Sequence, residues 1–126
     1  MKKHILSISY DKPLLVTRQL LLERAGYAVI SAFGFAEAME ACSADHDYDL
    51  ILMGHSMPQK DKVILLLALR AVCSAPLLSI LRHGQAPIPQ ASFYVNAQDG
   101  PAVLLEAVKA ALEADSRQPV RAAGFR

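Results

Sequence analysis

The stretch Tyr48-Asp49-Leu50-Ile51-Leu52-Met53-Gly54-His55-Ser56-Met57-Pro58 decides the fold. Its centre, Leu50 to Met53, is apolar at every position. A strand with one wet face alternates apolar with polar residues, so unbroken apolarity marks a strand covered on both faces. Such strands belong to parallel sheets flanked by helices. Helix-prone sequence follows from Lys60 to Val72.

The same order of elements repeats outward from this centre. Ile5-Leu6-Ser7-Ile8 reads as a buried strand, and Asp11-Lys12-Pro13 as a helix start with proline in the first turn. Leu14, Leu21, Leu22 and Ala25 recur at helical spacing, and Gly26 stops that helix. Tyr27 to Ile30 is a second strand candidate. Phe35 to Ala44 is helix-prone, with Ala38, Met39 and Cys42 on one face. Beyond the third helix come strand candidates at Pro76 to Ile80 and Phe93 to Val95. A last helix opens at Gly100-Pro101 and carries Leu104, Ala107, Val108, Ala111 and Leu112 on one face. Residues 1–114 are thus expected to form the domain. Residues 115–126, with Arg117, Pro119, Arg121, Gly124 and Arg126, are expected to be a flexible tail.

Strand-helix alternation predicts an α/β fold: one doubly wound parallel five-stranded sheet with helices on both faces. Right-handed crossovers leave few topologies, and the flavodoxin-like order 2-1-3-4-5 is the usual one at this length. Ligands of such sheets bind outside the carboxyl ends of the strands, at the switch point between strands one and three. The residues expected there are Ser9, Tyr10 and Asp11, then Gly54, His55 and Ser56, then Leu81 and Arg82, then Asn96 and Ala97.

Composition narrows the function. The 126 residues are 53% apolar and 20% charged, with a mean hydropathy of +0.26, which excludes disorder for the body of the chain. A net charge of +1 offers no concentrated positive footprint, so no nucleic-acid partner is expected. No apolar run approaches the ~20 residues of a membrane span, and no signal-peptide core opens the chain. Two cysteines, Cys42 and Cys73, are too few for a secreted disulfide framework. A cytoplasmic location is expected, with neither cofactor nor metal.

Three segments carry a resemblance to a known family: Leu21 to Val29, Ala36 to Glu40, and Tyr48 to Pro58. With them the chain resembles the response-regulator receiver domains, the CheY-like phosphoacceptor family of two-component systems, over residues 4 to about 112. The resemblance implies an aspartate after strand three to take a phosphoryl group, an acidic pair after strand one to hold Mg²⁺, a Thr or Ser after strand four and a Lys after strand five. Mg²⁺ wants carboxylate oxygens, and the phosphoryl oxygens want donors. Here the acceptor position holds Gly54, the acidic pair falls on Ser9 and Tyr10, the hydroxyl position on Leu81 and the Lys position on Ala97. No catalytic residue carries over. The chain therefore reads as an atypical, degenerate receiver that is not an enzyme.

A second departure lies between Ile80 and Phe93. Pro87 and Pro89 make a regular fourth helix improbable, so that helix is expected to be shortened or absent. Leu81, Ile88, Phe93 and Val95 would then line an exposed apolar patch, suited to a homodimer or another protein partner.

Single residues admit blander readings. His55, with no second His or Cys at ligand spacing, reads as a structural histidine. Nothing activates Ser9 or Ser56 as a nucleophile. Tyr10, Arg82 and His83 are expected to ring the crevice, together with Asp11, His55 and Ser56. An anionic ligand could sit against Arg82, whereas Tyr10 is expected simply to fill the volume of the lost acidic pocket. Cys42 reads as a small buried hydrophobe. The leading functional expectation is a stand-alone signal-transduction module that works by protein contact without phosphorylation. The alternatives are a small-ligand sensor using the crevice, or a phosphorelay member with an unorthodox acceptor.

Overall fold

The computed structural model describes residues 2–43, 47–82, 84–85 and 91–114. Its elements run β1 (His4–Ser9), α1 (Lys12–Arg24), β2 (Ala28–Phe33), α2 (Gly34–Ser43), β3 (Leu50–Met53), α3 (Gln59–Val72), β4 (Leu77–Leu81), β5 (Phe93–Asn96) and α4 (Pro101–Glu113), with one 3₁₀ turn at Ala97–Asp99. The sheet is parallel throughout, in the order β2-β1-β3-β4-β5. Both the fold class and the strand order read from the sequence are therefore correct. All four residues of β3 are buried, as its unbroken apolarity requires.

Local chemistry sets the helix ends. Asp11 Oδ1 accepts from the Leu14 amide at 3.1 Å and caps α1, with Pro13 in its first turn. Gly26, at φ +100°, ends that helix in the left-handed conformation that side chains disfavour. Glu37 reaches back to accept from the Phe33 amide at 2.7 Å, which lets α2 begin without a linker after β2. The second strand, Ala28–Phe33, thus starts one residue later and ends three residues later than the expected Tyr27 to Ile30.

Alternation along each strand divides the core between two faces. Leu6, Ile8, Ile51, Met53 and Leu77 pack against α2 and α3, through Ala38, Cys42, Leu65, Leu66 and Leu69. Ile5, Leu50, Leu52, Leu78, Ile80 and Val95 pack against α1 and α4, through Leu22, Leu104, Val108 and Ala111.

Two expectations need correction. In α1 the buried residues are Leu15, Arg18 and Leu22, while Leu14 and Leu21 are half-buried and Ala25 is exposed. The stripe is turned by about one residue, and it contains an arginine. The apolar patch beside β4 and β5 also fails in part, because Leu81 and Val95 are only 7% and 8% exposed. Leu81 ends a fully buried strand, and α4 covers Val95. Ile88, Pro87, Pro89, His83 and the tail at 115–126 lie outside the described residues. Among the described residues between β4 and β5 there is no helix, and α4 is the last of four.

Candidate functional site at the carboxyl ends of the strands

The ends of β1 and β3 adjoin, because Ile8 pairs with Met53 and the Gly54 amide donates to Ile8 O at 2.9 Å. Ser9, Tyr10 and Asp11 therefore stand beside Gly54, His55 and Ser56, as the topology predicts. Ser9 Oγ lies 3.2 Å from Ser56 Oγ and accepts from the Asp11 amide at 3.0 Å. Tyr10 is half-buried against the α2–α3 core, and its hydroxyl donates to Asp61 Oδ2 at 3.4 Å. Burial, with the Asp61 carboxylate behind it, raises the Tyr10 pKa. At the next strand, the Arg82 amide donates to Gln85 Oε1 at 2.7 Å, and Gln85 Nε2 donates to His55 O at 3.2 Å. Gln85 thus ties the end of β4 to the end of β3. Leu81 pairs with Asn96, and Ala97 opens the 3₁₀ turn beyond it.

Gly54 has a specific reason to be small. A Cβ built there would stand 3.0 Å from Arg18 Nη1, 3.1 Å from Ile8 O and 3.3 Å from Ser9 Oγ. A side chain at position 54 would thus press on the Arg18 guanidinium, which would have to give way by a few tenths of an ångström. Arg18 is 7% exposed and comes from the middle of α1. Burial lowers its pKa, and the Asp11 carboxylate opposes that shift.

A second buried cation lies on the other face of the sheet. Lys62, in the first turns of α3, is 0% exposed, and its Nζ has no hydrogen-bond partner. Burial first, and then the Arg82 charge, lower its pKa. His55 feels both cations, and its Nδ1 is buried and unpartnered. Burial lowers its pKa, Arg18, Arg82 and Lys62 lower it further, and Asp11 alone opposes them.

The sequence reading singled out Tyr10, Asp11, His55, Ser56 and Arg82; the structure links Ser56 to Ser9 and, through Gln85, Arg82 to His55, while Tyr10 turns to Asp61. The sequence reading missed Arg18 and Lys62. Both carried a signal: Lys62, Leu65, Leu66 and Leu69 are spaced i, i+3, i+4, i+7, and Leu15, Arg18 and Leu22 are spaced i, i+3, i+7. A cation on an apolar stripe is buried with it.

Solved structures resemble this geometry over most of the chain. The N-terminal domain of a response regulator/sensory box/GGDEF 3-domain protein from Carboxydothermus hydrogenoformans is 28% identical, with a TM-score of 0.76 over 88% of this chain and 94% of that one. This is the receiver fold of the response regulators. The CheY-like receiver domain protein from Methanospirillum hungatei JF-1 shares it at 23% identity and a TM-score of 0.75, over 90% and 95% of the two chains. A two-component response regulator from Clostridium difficile shares it at 22% and 0.74, over 89% and 97%. No protein-family model matches the chain, and no curated protein matches it. The receiver fold supports a role in signal transduction. Among the described residues, no helix is long and apolar enough to cross a membrane, and no three His, Cys, Asp or Glu residues group as metal ligands.

Proposed function

We propose that this receiver-fold chain is degenerate and acts in cytoplasmic signal transduction through protein contact, without phosphorylation and without catalysis. The observation that carries this reading is the Arg18 guanidinium beside Gly54: the acceptor position has no nucleophile, and a side chain there would press on that guanidinium. The nearby carboxylates are already engaged, Asp11 as the cap of α1 and Asp61 as acceptor from Tyr10. A hard divalent cation would have to draw them away. Ser9 and Ser56 bond to one another, and Ser9 also to the Asp11 backbone, an arrangement that supplies no general base.

The chemistry is tested by incubation with acetyl phosphate and Mg²⁺, followed by intact mass measurement. No phosphoryl group should be added to the wild-type chain or to Gly54→Asp. A stoichiometric phosphoryl adduct on the wild-type chain would sink the reading. Partner contact is tested by light scattering and affinity capture, where any complex should be indifferent to acetyl phosphate. A complex that forms only after phosphoryl donor treatment would count against it.

A further inference from the structure

A cavity of about 190 Å³ lies between α1 and α4, beside the end of β5. Its walls are mostly apolar: Leu14 and Leu21 from α1, Ile80 from β4, Val95 from β5 and Leu104 from α4. It opens to solvent past Thr17 and Asn96, both exposed.

One charged side chain interrupts the apolar wall. Arg18 lines this cavity although only 7% of the residue is exposed. Among the described residues it makes no hydrogen bond and no ion pair. The Asp11 carboxylate acts on it through its field alone, with Oδ1 held by the Leu14 amide. A guanidinium carries five N–H donors and stays charged at neutral pH. Buried charges are as a rule paired, because their lost hydration must be replaced. Arg18 is therefore a positioned donor set that borders a cavity and has no acceptor within the chain. The start of α4 adds to the same field. Gly100 and Pro101 open that helix at the cavity wall, and no side chain caps it. Its first-turn amides keep their donors, at the end where the helix dipole is positive.

We propose that this cavity binds a small monocarboxylate with a compact apolar body, its carboxylate on Arg18 and its body among Leu21, Val95 and Leu104. A carboxylate accepts two parallel bonds from the planar guanidinium. The apolar walls select against a purely ionic occupant, since they return nothing for its desolvation. A dry cavity of ~150 Å³ holds benzene. About 190 Å³ therefore suits a body of phenyl or short branched-alkyl size. An occupant would join α1 to β5 and α4. Binding here requires neither a phosphoryl acceptor nor a protein partner, so the site stands apart from the interaction reading.

The test is thermal unfolding and calorimetric titration of the full chain with benzoate and with isovalerate, against chloride at matched ionic strength. One or both should raise Tm in a saturable way, by several degrees once the probe exceeds Kd about 100-fold. Acetate, which lacks the body, and benzyl alcohol, which lacks the charge, should bind at least roughly tenfold more weakly. Arg18→Met should weaken carboxylate binding by roughly tenfold or more. Ala97→Phe, which keeps the charge and fills the half-buried wall, should do the same. In an amide NMR titration of the wild-type chain, the resonances of Thr17, Ala97 and Leu104 should move. Should Arg18→Met fail to fold, Ala97→Phe and the amide shifts decide the matter. No saturable response to either carboxylate, undiminished affinity in Arg18→Met or Ala97→Phe, or shifts confined to His55 and Ser56 would overturn the proposal. None of these results bears on whether acetyl phosphate modifies the chain, so the two readings fail separately.

Discussion

The two faces of the sheet are built alike and, among the described residues, carry one buried cation each, but they treat it differently. On the α1–α4 face, Arg18 has a vacancy to fill beside Gly54 and a carboxylate, Asp11, acting on it. On the α2–α3 face, Lys62 is fully buried, lacks a hydrogen-bond partner and feels the repulsion of Arg82. The first cation is part of the packing. The second is an expense that packing does not explain, because the neighbouring positions Leu65, Leu66 and Leu69 show that an apolar residue would suit the stripe. The α1–α4 face also has its own cavity of about 190 Å³, lined in part by Leu14, Arg18, Ile80, Val95 and Leu104. Its lining is mostly apolar, so this cavity and the unsatisfied Lys62 lie on opposite faces of the sheet.

The largest expected effects show where the two faces are equivalent. Leu66→Ala removes a fully buried side chain from the α2–α3 core, and Leu22→Ala does the same for the α1–α4 core. Each should lower stability by about 2–5 kcal/mol in denaturant unfolding, as large-to-small core changes do. A loss under about 1 kcal/mol at either site would mean that this face is loosely packed and the symmetry is false.

Most of this architecture was legible in the sequence. Leu50 to Met53 announced a doubly covered strand, Asp11-Lys12-Pro13 and Gly26 marked the ends of α1, and the alternation of elements gave the strand order. The site was legible only in outline. Topology brought Ser9, Gly54, His55 and Arg82 together, because strand ends are placed by pairing and pairing follows the hydrophobic pattern. Arg18 and Lys62 escaped because charged residues are read as solvated by default. Only the helical phase placed them inside, and in α1 that phase was misjudged: Ala25 was counted in the stripe and Leu15 was not. The expected exposed patch failed for another reason, since the burial of Leu81 and Val95 depends on how β4 ends and where α4 lies.

The next prediction sets the two cations directly against each other. Methionine removes the charge from either position while keeping a long, flexible stem. Lys62→Met should raise stability by about 1–3 kcal/mol, as replacing buried charge with apolar volume often does. Arg18→Met should lower it by about 1 kcal/mol. A methionine is too short to fill the space beside Gly54, and the interaction with Asp11 is lost. Urea midpoints measured side by side give the two signs. Shifts of the same sign would break the contrast between a packed cation and an unsatisfied one.

The smallest effect is a pH dependence, and it reads both faces at once through His55. Burial first, and then Arg18 from one face with Arg82 and Lys62 from the other, hold the imidazole below its ordinary value of 6.5, against the opposing charge of Asp11. As the pH falls through that value, the unfolded chain takes up a proton at His55 while the folded chain does not. The unfolded state then binds more protons, so stability falls with falling pH. The contribution is fully present above about 6.5 and declines below it, until the folded imidazole itself becomes charged. As the pH falls below 6.5, the unfolding midpoint should therefore drop by more in the wild-type chain than in His55→Gln, which cannot take up that proton. Lys62→Met and Arg18→Met should each reduce the drop, because each removes one of the charges that depress the imidazole. A drop unchanged in both variants would mean that burial alone governs His55, and that the two buried cations do not meet at it. Identical profiles for the wild-type chain and His55→Gln would remove His55 from the site's electrostatics altogether.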